Sequence, residues 1–314
     1  MNTKFISQKT IYSFVAGILG LGIIINLASV SAQQQRQSDK GSSIAASQNI
    51  KIFQQKVKGE SFLPTSLKSD KKPSGQRGVI GLDERRPMES RNYPWSTVGR
   101  VQGVSADDKD YHCTGTLVAE DVVLTNAHCV VDPETHKFSK SLSFLPNLID
   151  GKVADKNDIA KAIEVYAGTD FTKNGDTEDW AFVKLNKPIG KKYGYLGWKV
   201  LSADVLIKQR KQYFFVGYSG DFPKPEVYED LTAGAGMTAG IQGQCSITGE
   251  REGVLLHNCD TTGGSSGGPI ISWINGQPYI VALNNAEVKR RDNGRAITNL
   301  AIQISRIQEA LEKR

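Results

Sequence analysis

The sequence predicts a mainly β protein in which two barrels pack together and a helix ends the chain. From Val79 onward, apolar or alternating runs of four to eight residues are rich in Val, Ile, Phe and Tyr and are separated by Gly, Asn, Asp and Pro. This is the pattern of short strands. The length of residues 79–314 fits two barrels of roughly 110 to 120 residues each. We expect the first barrel at about 79–195 and the second at about 196–300.

The runs that favour strands are 97–104, 115–118, 122–125, 163–167, 181–185, 212–216, 253–257, 270–274 and 279–283. Helical periodicity is sparser, and it predicts short helices at 155–163 and 203–210. At the end of the chain, apolar residues recur on one helical face with charged residues between them. This spacing predicts a C-terminal helix over 304–314 that packs on the sheet.

The first 32 residues have the composition of a secretory signal peptide. Lys4 and Lys9 precede the apolar run 11–30, and the small residues before Gln33 fit cleavage after Ala32. The alternative is an uncleaved membrane anchor, because the run approaches the roughly 20 residues that span a bilayer. We favour the signal peptide and expect an exported protein, periplasmic or extracellular, with no membrane attachment after cleavage.

Residues 33–78 are rich in Ser, Gln, Lys and Gly, and Pro64 and Pro73 interrupt their two weak apolar clusters. Such a composition buries too little apolar area to offset the entropy of ordering. The segment is expected to be a disordered linker or a removable propeptide, with Arg77 open to a processing protease. The folded domain is then expected to span 79–314.

The net charge of +6 raises the question of nucleic-acid binding. Residues 1–78 carry +8, which leaves −2 for residues 79–314. The folded part therefore gives no electrostatic case for a nucleic-acid partner. Four cysteines, an even number in a chain that looks exported, predict two disulfides.

One stretch, 260–269 with the sequence DTTGGSSGGP, concentrates the candidate chemistry. Its glycines allow a tight exposed turn whose N–H groups converge on one point, which is the geometry an oxyanion hole needs. A serine at the tip of this turn is a candidate nucleophile if a histidine and a buried carboxylate activate it. On its own, a glycine-serine run is more often a flexible loop.

His128 and Asp179 are the candidate partners of that serine. A disulfide from Cys113 to Cys129 would brace the turn that carries His128. Asp179 opens the apolar run 180–185, so its neighbours can draw it into a cleft. Competing acids at 176 and 178 lie in a polar run that is better explained as a solvated loop and that lacks the calcium-loop spacing.

The motifs TNAHC at 125–129, DWAFV at 179–183 and GSSGGP at 264–269 resemble, in that order, the active-site motifs of the chymotrypsin-like serine peptidases. The residues VIGLDER at 79–85 and the Tyr-Pro pair at 93–94 resemble the mature N-terminus of secreted bacterial glutamyl endopeptidases. The likeness covers about 79–305.

The resemblance implies two six-stranded antiparallel barrels with the active site in the cleft between them. It implies Ser266 as nucleophile, His128 as base and Asp179 as its orienting partner, with an oxyanion hole formed by the N–H groups of Gly264 and Ser266. The cysteine pairs it implies are Cys113–Cys129 and Cys245–Cys259. It further implies a secreted monomeric endopeptidase that acts on proteins or peptides and needs no cofactor or metal.

The specificity pocket stays open between basic, acidic and broad selectivity. Asp260 occupies the register in which trypsin-like enzymes hold the aspartate that binds basic side chains, although it could also bond within its own loop. Asn284 falls where glutamate-selective members carry a histidine, and Thr261 is a further pocket candidate. The alternative function is a non-catalytic homologue that binds peptides in the same cleft.

Overall fold

The computed structural model describes residues 45–46, 57–73, 83–173, 175–289 and 296–313. The predicted signal peptide and the expected processing point at Val79 lie outside the described residues.

The strands, in chain order, are β1 (Ala45–Ala46), β2 (Arg86–Pro87), β3 (Val98–Val104), β4 (Asp110–Ala119), β5 (Val122–Thr125), β6 (Ser141–Pro146), β7 (Ala160–Ala167), β8 (Ala181–Leu185), β9 (Tyr213–Gly217), β10 (Gly240–Cys245), β11 (Ile247–Arg251), β12 (Val254–His257), β13 (Pro269–Ile274), β14 (Gln277–Lys289) and β15 (Ala296–Gln303). The α-helices are α1 (Gly190–Tyr193), α2 (Ala203–Lys208) and α3 (Ile304–Glu312). Among the described residues, no helix is long and apolar enough to cross a membrane.

The first barrel is a closed antiparallel sheet in the order β7-β6-β3-β4-β5-β8, and it closes through the pairing of β7 with β8. Its interior is filled by alternate side chains of these strands, among them Val101, Leu117, Val123 and Val183. The short β1 pairs in parallel with β7. This barrel confirms the first half of the predicted architecture.

The second unit is a curled antiparallel sheet in the order β11-β12-β15-β14-β13-β9-β10-β2. Only Ser246 separates β10 from β11 along the chain, although these strands lie towards opposite ends of the sheet. The sheet must therefore curl so that its two ends approach each other. It has eight strands where six were expected, because β2 joins one edge and a short break divides β10 from β11.

A shared core lies between the two sheets. Phe182 comes from the first barrel, Phe214 and Leu283 come from the second sheet, and all three belong to one buried apolar cluster. Helix α3 adds Ile304 and Ile307 to the same cluster. The C-terminal helix is thus confirmed, and its apolar face helps to fix the second sheet against the first.

The helix expected at 155–163 is wrong. Asp155 accepts the N–H of Asn157 and caps a single 3-10 turn at Lys156–Asp158, after which the chain enters β7 at Ala160. Pairing of β7 with β6 and β8 outweighs the local helical pattern. Strands β6, β10, β11 and β15 have no counterpart among the predicted runs.

Residues 57–73, called the strap below, pack on the rest of the molecule. Val57 is buried in the shared core, and Phe62 and Ser69 form isolated β-bridges with Tyr195 and Tyr93. This order differs from the disordered linker expected for the stretch, because hydrogen bonds to the body compensate for its small apolar content. A propeptide role for residues 33–78 stays a prediction.

Candidate active site

His128 lies in a 3-10 turn, Ala127–Cys129, directly after β5. Asn126 anchors the start of this turn by donating its Nδ2 to the carbonyl of Asp179 at 2.6 Å. The Cys113–Cys129 disulfide is present and ties the end of the turn to β4. A ring nitrogen of His128 and both sulfurs lie within 4.8 Å of one another, but the sulfurs are bonded to each other and hold the histidine turn in place.

Asp179 contacts His128 twice. Its Oδ2 lies 2.7 Å from His128 Nδ1, and its Oδ1 accepts the backbone N–H of His128 at 2.9 Å. The carboxylate side chain is 7 % exposed and the imidazole 26 %, so solvent reaches the histidine but hardly the acid. Burial lowers the pKa of His128, but the charge of Asp179 and its hydrogen bond outweigh burial, and the net shift is upward.

The two candidate serines have different environments. Ser265 is buried, and its Oγ donates to the carbonyl of Thr262 at 2.6 Å. Ser266 is half-buried, and its Oγ donates to the carbonyl of Asn285 at 3.0 Å. Only the Ser266 hydroxyl combines access from solvent with a contact that a single rotation about χ1 can break.

Strand β4 forms hydrogen bonds with the backbone on both sides of Ser265. Thr114 donates its Oγ1 to the carbonyl of Gly264 at 3.0 Å and its N–H to the carbonyl of Ser266 at 2.8 Å. Within the described part of the chain, the N–H groups of Gly264 and Ser266 donate to no protein acceptor. One residue therefore fixes the two carbonyls, while the two N–H groups stay available for an incoming oxyanion.

Gly264 has φ +94°, and a Cβ at this position would collide with the ring of His112 and with the carbonyl of Tyr218. His112 Nε2 in turn donates to that same carbonyl at 2.9 Å. Burial, together with the charge of Arg100, lowers the pKa of His112 and so disfavours the protonated ring. Glycine is thus required at 264 for two reasons: its positive φ angle, and the close approach of the His112 ring and the Tyr218 carbonyl.

Asn284 lies beneath the nucleophile loop, with its side chain 2 % exposed. Its Nδ2 donates to the carbonyl of Ser265 at 3.0 Å, and its Oδ1 lies 3.1 Å from His257 Nε2. His257 Nδ1 accepts the N–H of Cys259, so the ring proton sits on Nε2 and points at Asn284. The Cys245–Cys259 disulfide is also present and supports this layer.

Asp260 is partly buried, and its Oδ2 accepts the N–H of Glu84 at 2.8 Å. The pKa of Asp260 is raised, chiefly by burial. Next to it, Arg85 forms ion pairs with Asp83 at 2.8 Å and with Asp221 at 2.7 Å. The segment at the start of the body therefore runs alongside the loop that precedes Ser266.

Thr261 follows Asp260 and is buried, and Asp221 accepts the hydroxyl of the next residue, Thr262, at 2.6 Å. These contacts place an acidic group of side chains beside the 260–262 segment. Thr114 and Asn285 were not predicted, because a threonine beside a disulfide and an asparagine in a strand have no distinctive sequence pattern.

The histidine–aspartate pair comes from the first barrel, and the glycine-flanked serine comes from a loop of the second sheet. This combination of fold and site defines the chymotrypsin-like class of serine peptidases. The chain belongs to the family of the trypsin-like peptidase domain, whose family model matches residues 113–282.

Curated relatives include glutamyl endopeptidase from Bacillus licheniformis, 24% identical over 223 residues that cover 70% of this chain and 61% of the relative. Serine protease 23 from Bos taurus is 27% identical over 222 residues, which cover 63% of this chain and 52% of the relative. The chain thus spans about half to three fifths of the length of these relatives.

Solved structures show the same fold. A Glu endopeptidase in complex with MPD aligns with a TM-score of 0.57 at 24% identity, covering 75% of this chain and all of that chain. The protease Anisep from Arthrobacter nicotinovorans aligns with a TM-score of 0.53 at 19% identity, covering 70% of this chain and 97% of that one. At these identities the likeness establishes the architecture alone.

Proposed function

We propose that this chain is an exported serine endopeptidase with the catalytic triad Ser266, His128 and Asp179. The observation that carries the proposal is the double contact of Asp179 with His128, at 2.7 Å to the ring and 2.9 Å to the backbone. This contact leaves Nε2 of His128 as the basic nitrogen. A base oriented in this way is the requirement for activating a serine hydroxyl.

In the proposed reaction, Ser266 Oγ attacks the peptide carbonyl while its proton passes to His128 Nε2. The carbonyl electrons move onto oxygen, where the N–H groups of Gly264 and Ser266 stabilise them by roughly 3 to 4 kcal/mol per donor. Collapse of this intermediate expels the amine, which takes the proton from His128, and leaves an acyl group on Ser266. Water then attacks the acyl carbonyl and gives a proton to His128 Nε2. The bond to Ser266 Oγ breaks, Oγ takes that proton back from His128, and the carboxylic acid is released.

The Ser266 hydroxyl must turn away from the Asn285 carbonyl before it can transfer its proton. Catalytic hydrogen bonds are often long or misaligned in the absence of substrate and form when substrate binds. The same carbonyl of Asn285, once released by the serine, is a free acceptor beside the reacting centre. We assign it to the substrate backbone.

The proposed specificity pocket is bordered by Asp260, Thr261 and Asn284. Asp83 and Asp221 flank it, and Arg85 is the only cation in ion-pair contact with them among the described residues. A net negative pocket attracts Lys or Arg and repels acidic side chains. We therefore propose cleavage after basic residues, in contrast to the selectivity that the name glutamyl endopeptidase gives to one relative.

The remaining parts of the proposal come from the sequence. A signal peptide at 1–32 exports the protein to the periplasm or the medium, and processing near Val79 separates residues 33–78 from a peptidase domain at 79–314. The mature protein acts as a monomer on proteins or peptides, without nucleic acid, membrane or cofactor.

A fluorophosphonate probe tests the chemistry, because it reacts with an activated serine. We expect one label per molecule in the wild type, none in Ser266→Ala and an unchanged label in Ser265→Ala. A folded wild-type protein that takes no label would instead favour the non-catalytic peptide-binding homologue. Peptide mapping of the labelled residue identifies the nucleophile directly.

A further inference from the structure

The first half of the strap forms a short antiparallel pairing with the segment that links the two units. Phe62 and Tyr195 exchange backbone hydrogen bonds at 2.9 and 3.0 Å, and their rings stack with centroids 5.2 Å apart. Trp198 donates its N–H to the carbonyl of Gly59 at 3.0 Å. Gly197 donates to the hydroxyl of Ser61 at 2.9 Å.

The second half of the strap is held by its own set of contacts. Asp70 donates its N–H to the carbonyl of Tyr93 at 2.7 Å, and Tyr93 donates its N–H to the carbonyl of Lys68 at 2.9 Å. The carboxylate of Asp70 accepts from Ser90 Oγ at 2.5 Å and from Asn92 Nδ2 at 2.8 Å. Both carboxylate oxygens are therefore used by the body.

Glycine is required on both sides of this contact. Gly59 has φ +70°, and a Cβ there would lie 2.8 Å from the Trp198 ring. A Cβ on Gly197 would collide with the carbonyl of Gly59. Two backbones approach closely at this point, which marks a fitted contact between the strap and the body.

The strap lies away from the candidate active site. Within the described residues, its hydrogen bonds and ring contacts reach 90–93, 195–198, 212 and 214. These partners do not include His128, Asp179, Ser266 or Asp260. The described hydrogen bonds and ring contacts of the strap therefore do not involve the candidate catalytic residues.

We infer that the strap stays bound to the body as a second, non-covalent chain after processing, and that it stabilises the fold without inhibiting the enzyme. This inference rests on the proposed processing near Val79, which falls between the strap and Asp83. Cleavage there breaks the covalent link but none of the contacts described above. The body face formed by 90–93 and 195–198 is then a binding site for residues 57–73.

The test uses the full chain with the recognition sequence of a site-specific protease inserted after Arg77, in a Ser266→Ala background that prevents self-cleavage. After the cut, size-exclusion chromatography followed by denaturing mass spectrometry should find the N-terminal piece eluting with the body, one copy of each. Elution of the two pieces apart would overturn the inference. The fluorophosphonate result is separate, because this background carries no reactive serine.

Strap variants in the same background give the matched comparison. Gly59→Ala combined with Phe62→Ala should lower the retained N-terminal piece about tenfold, equivalent to about 1.4 kcal/mol of binding. Leu63→Ala is the control. Leu63 and Phe62 are similarly exposed, at 41 % and 39 %, but of the two only Phe62 stacks on a ring of the body, that of Tyr195. Thermal unfolding before the cut checks that each variant folds. Equal retention in the double variant and the control would also overturn the inference.

A functional readout distinguishes a structural strap from an inhibitory one. In the wild-type background, removal of the N-terminal piece by mild denaturant and refolding should lower the melting temperature of the body. The kcat of the body that remains folded should not rise. A rise in kcat on removal would identify the strap as an inhibitor and contradict the inference.

Discussion

The hydroxyl of Thr114 donates to the backbone carbonyl of Gly264 at 3.0 Å. The same hydroxyl accepts the backbone N–H of Tyr218 at 2.8 Å. The side chain thus joins β4 to both the nucleophile loop and the end of β9. Thr114 is a positioning residue for the proposed oxyanion hole, because it fixes the peptide that follows Gly264.

We expect Thr114→Val to lower kcat by about 10-fold to 100-fold with little change in KM, since leaving a buried polar group without its hydrogen-bond partner costs about 1 to 3 kcal/mol. Thr114→Ser should restore most of the rate. Thr116→Val is the control, because its Oγ1 is buried on the same strand without a hydrogen-bond partner among the described residues. Equal losses of kcat in both valine variants would show that Thr114 has no special role.

Asp179→Asn should lower kcat by about 10⁴-fold, because the histidine loses the charge that stabilises its imidazolium form. The acid limb of the pH–rate profile should move in the same variant. In the wild type, Asp179 raises the pKa of His128, and activity is lost as the pH falls through that pKa. Without the carboxylate, burial dominates and lowers the pKa, so the residual activity should persist to lower pH. An unshifted acid limb would argue that another group titrates.

His257 should make the fold sensitive to acid. Burial lowers its pKa from 6.5 to about 4, so the unfolded chain binds a proton that the folded chain does not between these values. Stability therefore falls as the pH drops through this window, by about 3 kcal/mol from this group. Denaturant unfolding at several pH values should show a shallower loss in His257→Gln. A slope in His257→Gln that equals the wild-type slope would exclude His257 as the cause.

Asp260→Asn should reduce cleavage after Lys and Arg relative to other residues, as measured with a peptide library. The amide oxygen can still accept the N–H of Glu84, so the melting temperature should change little. Asp260→Ala removes this acceptor and should lower stability by about 1 kcal/mol as well. A library profile that is identical in Asp260→Asn and the wild type would assign the carboxylate to structure alone.

The sequence predicted strands that consist mostly of apolar residues, such as β5 and β8, and it carries the three candidate site motifs in the order that the resemblance implies. It failed at 155–163, where a helical pattern lost to the pairing of β7 with its neighbours. It also missed β6 and β15, whose runs of apolar residues are broken by serine, threonine and asparagine. Whether such a segment forms a strand depends on the strands with which it pairs, and these partners cannot be identified from a single sequence.

The strap and Asn284 also depend on contacts with distant parts of the chain, which a single sequence does not reveal. Composition indicated too little apolar area at 57–73, but backbone hydrogen bonds and the carboxylate of Asp70 anchor the segment. Asn284 was predicted from register to line a pocket, and that role stays a prediction. Its bonds to Ser265 and His257 arise from three distant parts of the chain, so no local pattern could reveal them.

Arg85 is 6 % exposed, stacks over the ring of Phe222 at 4.9 Å and pairs with two aspartates. Asp83, one of the two aspartates in this clamp, lies four residues after Val79, so the length of the chain alone limits an amine created at Val79 to within about 14 Å of Asp83. Blocking that amine by acetylation, or by carbamylation during storage in urea, would remove a positive charge close to the proposed acidic pocket. Batches of enzyme with a blocked terminus should therefore differ in substrate preference while their active-site titre is the same.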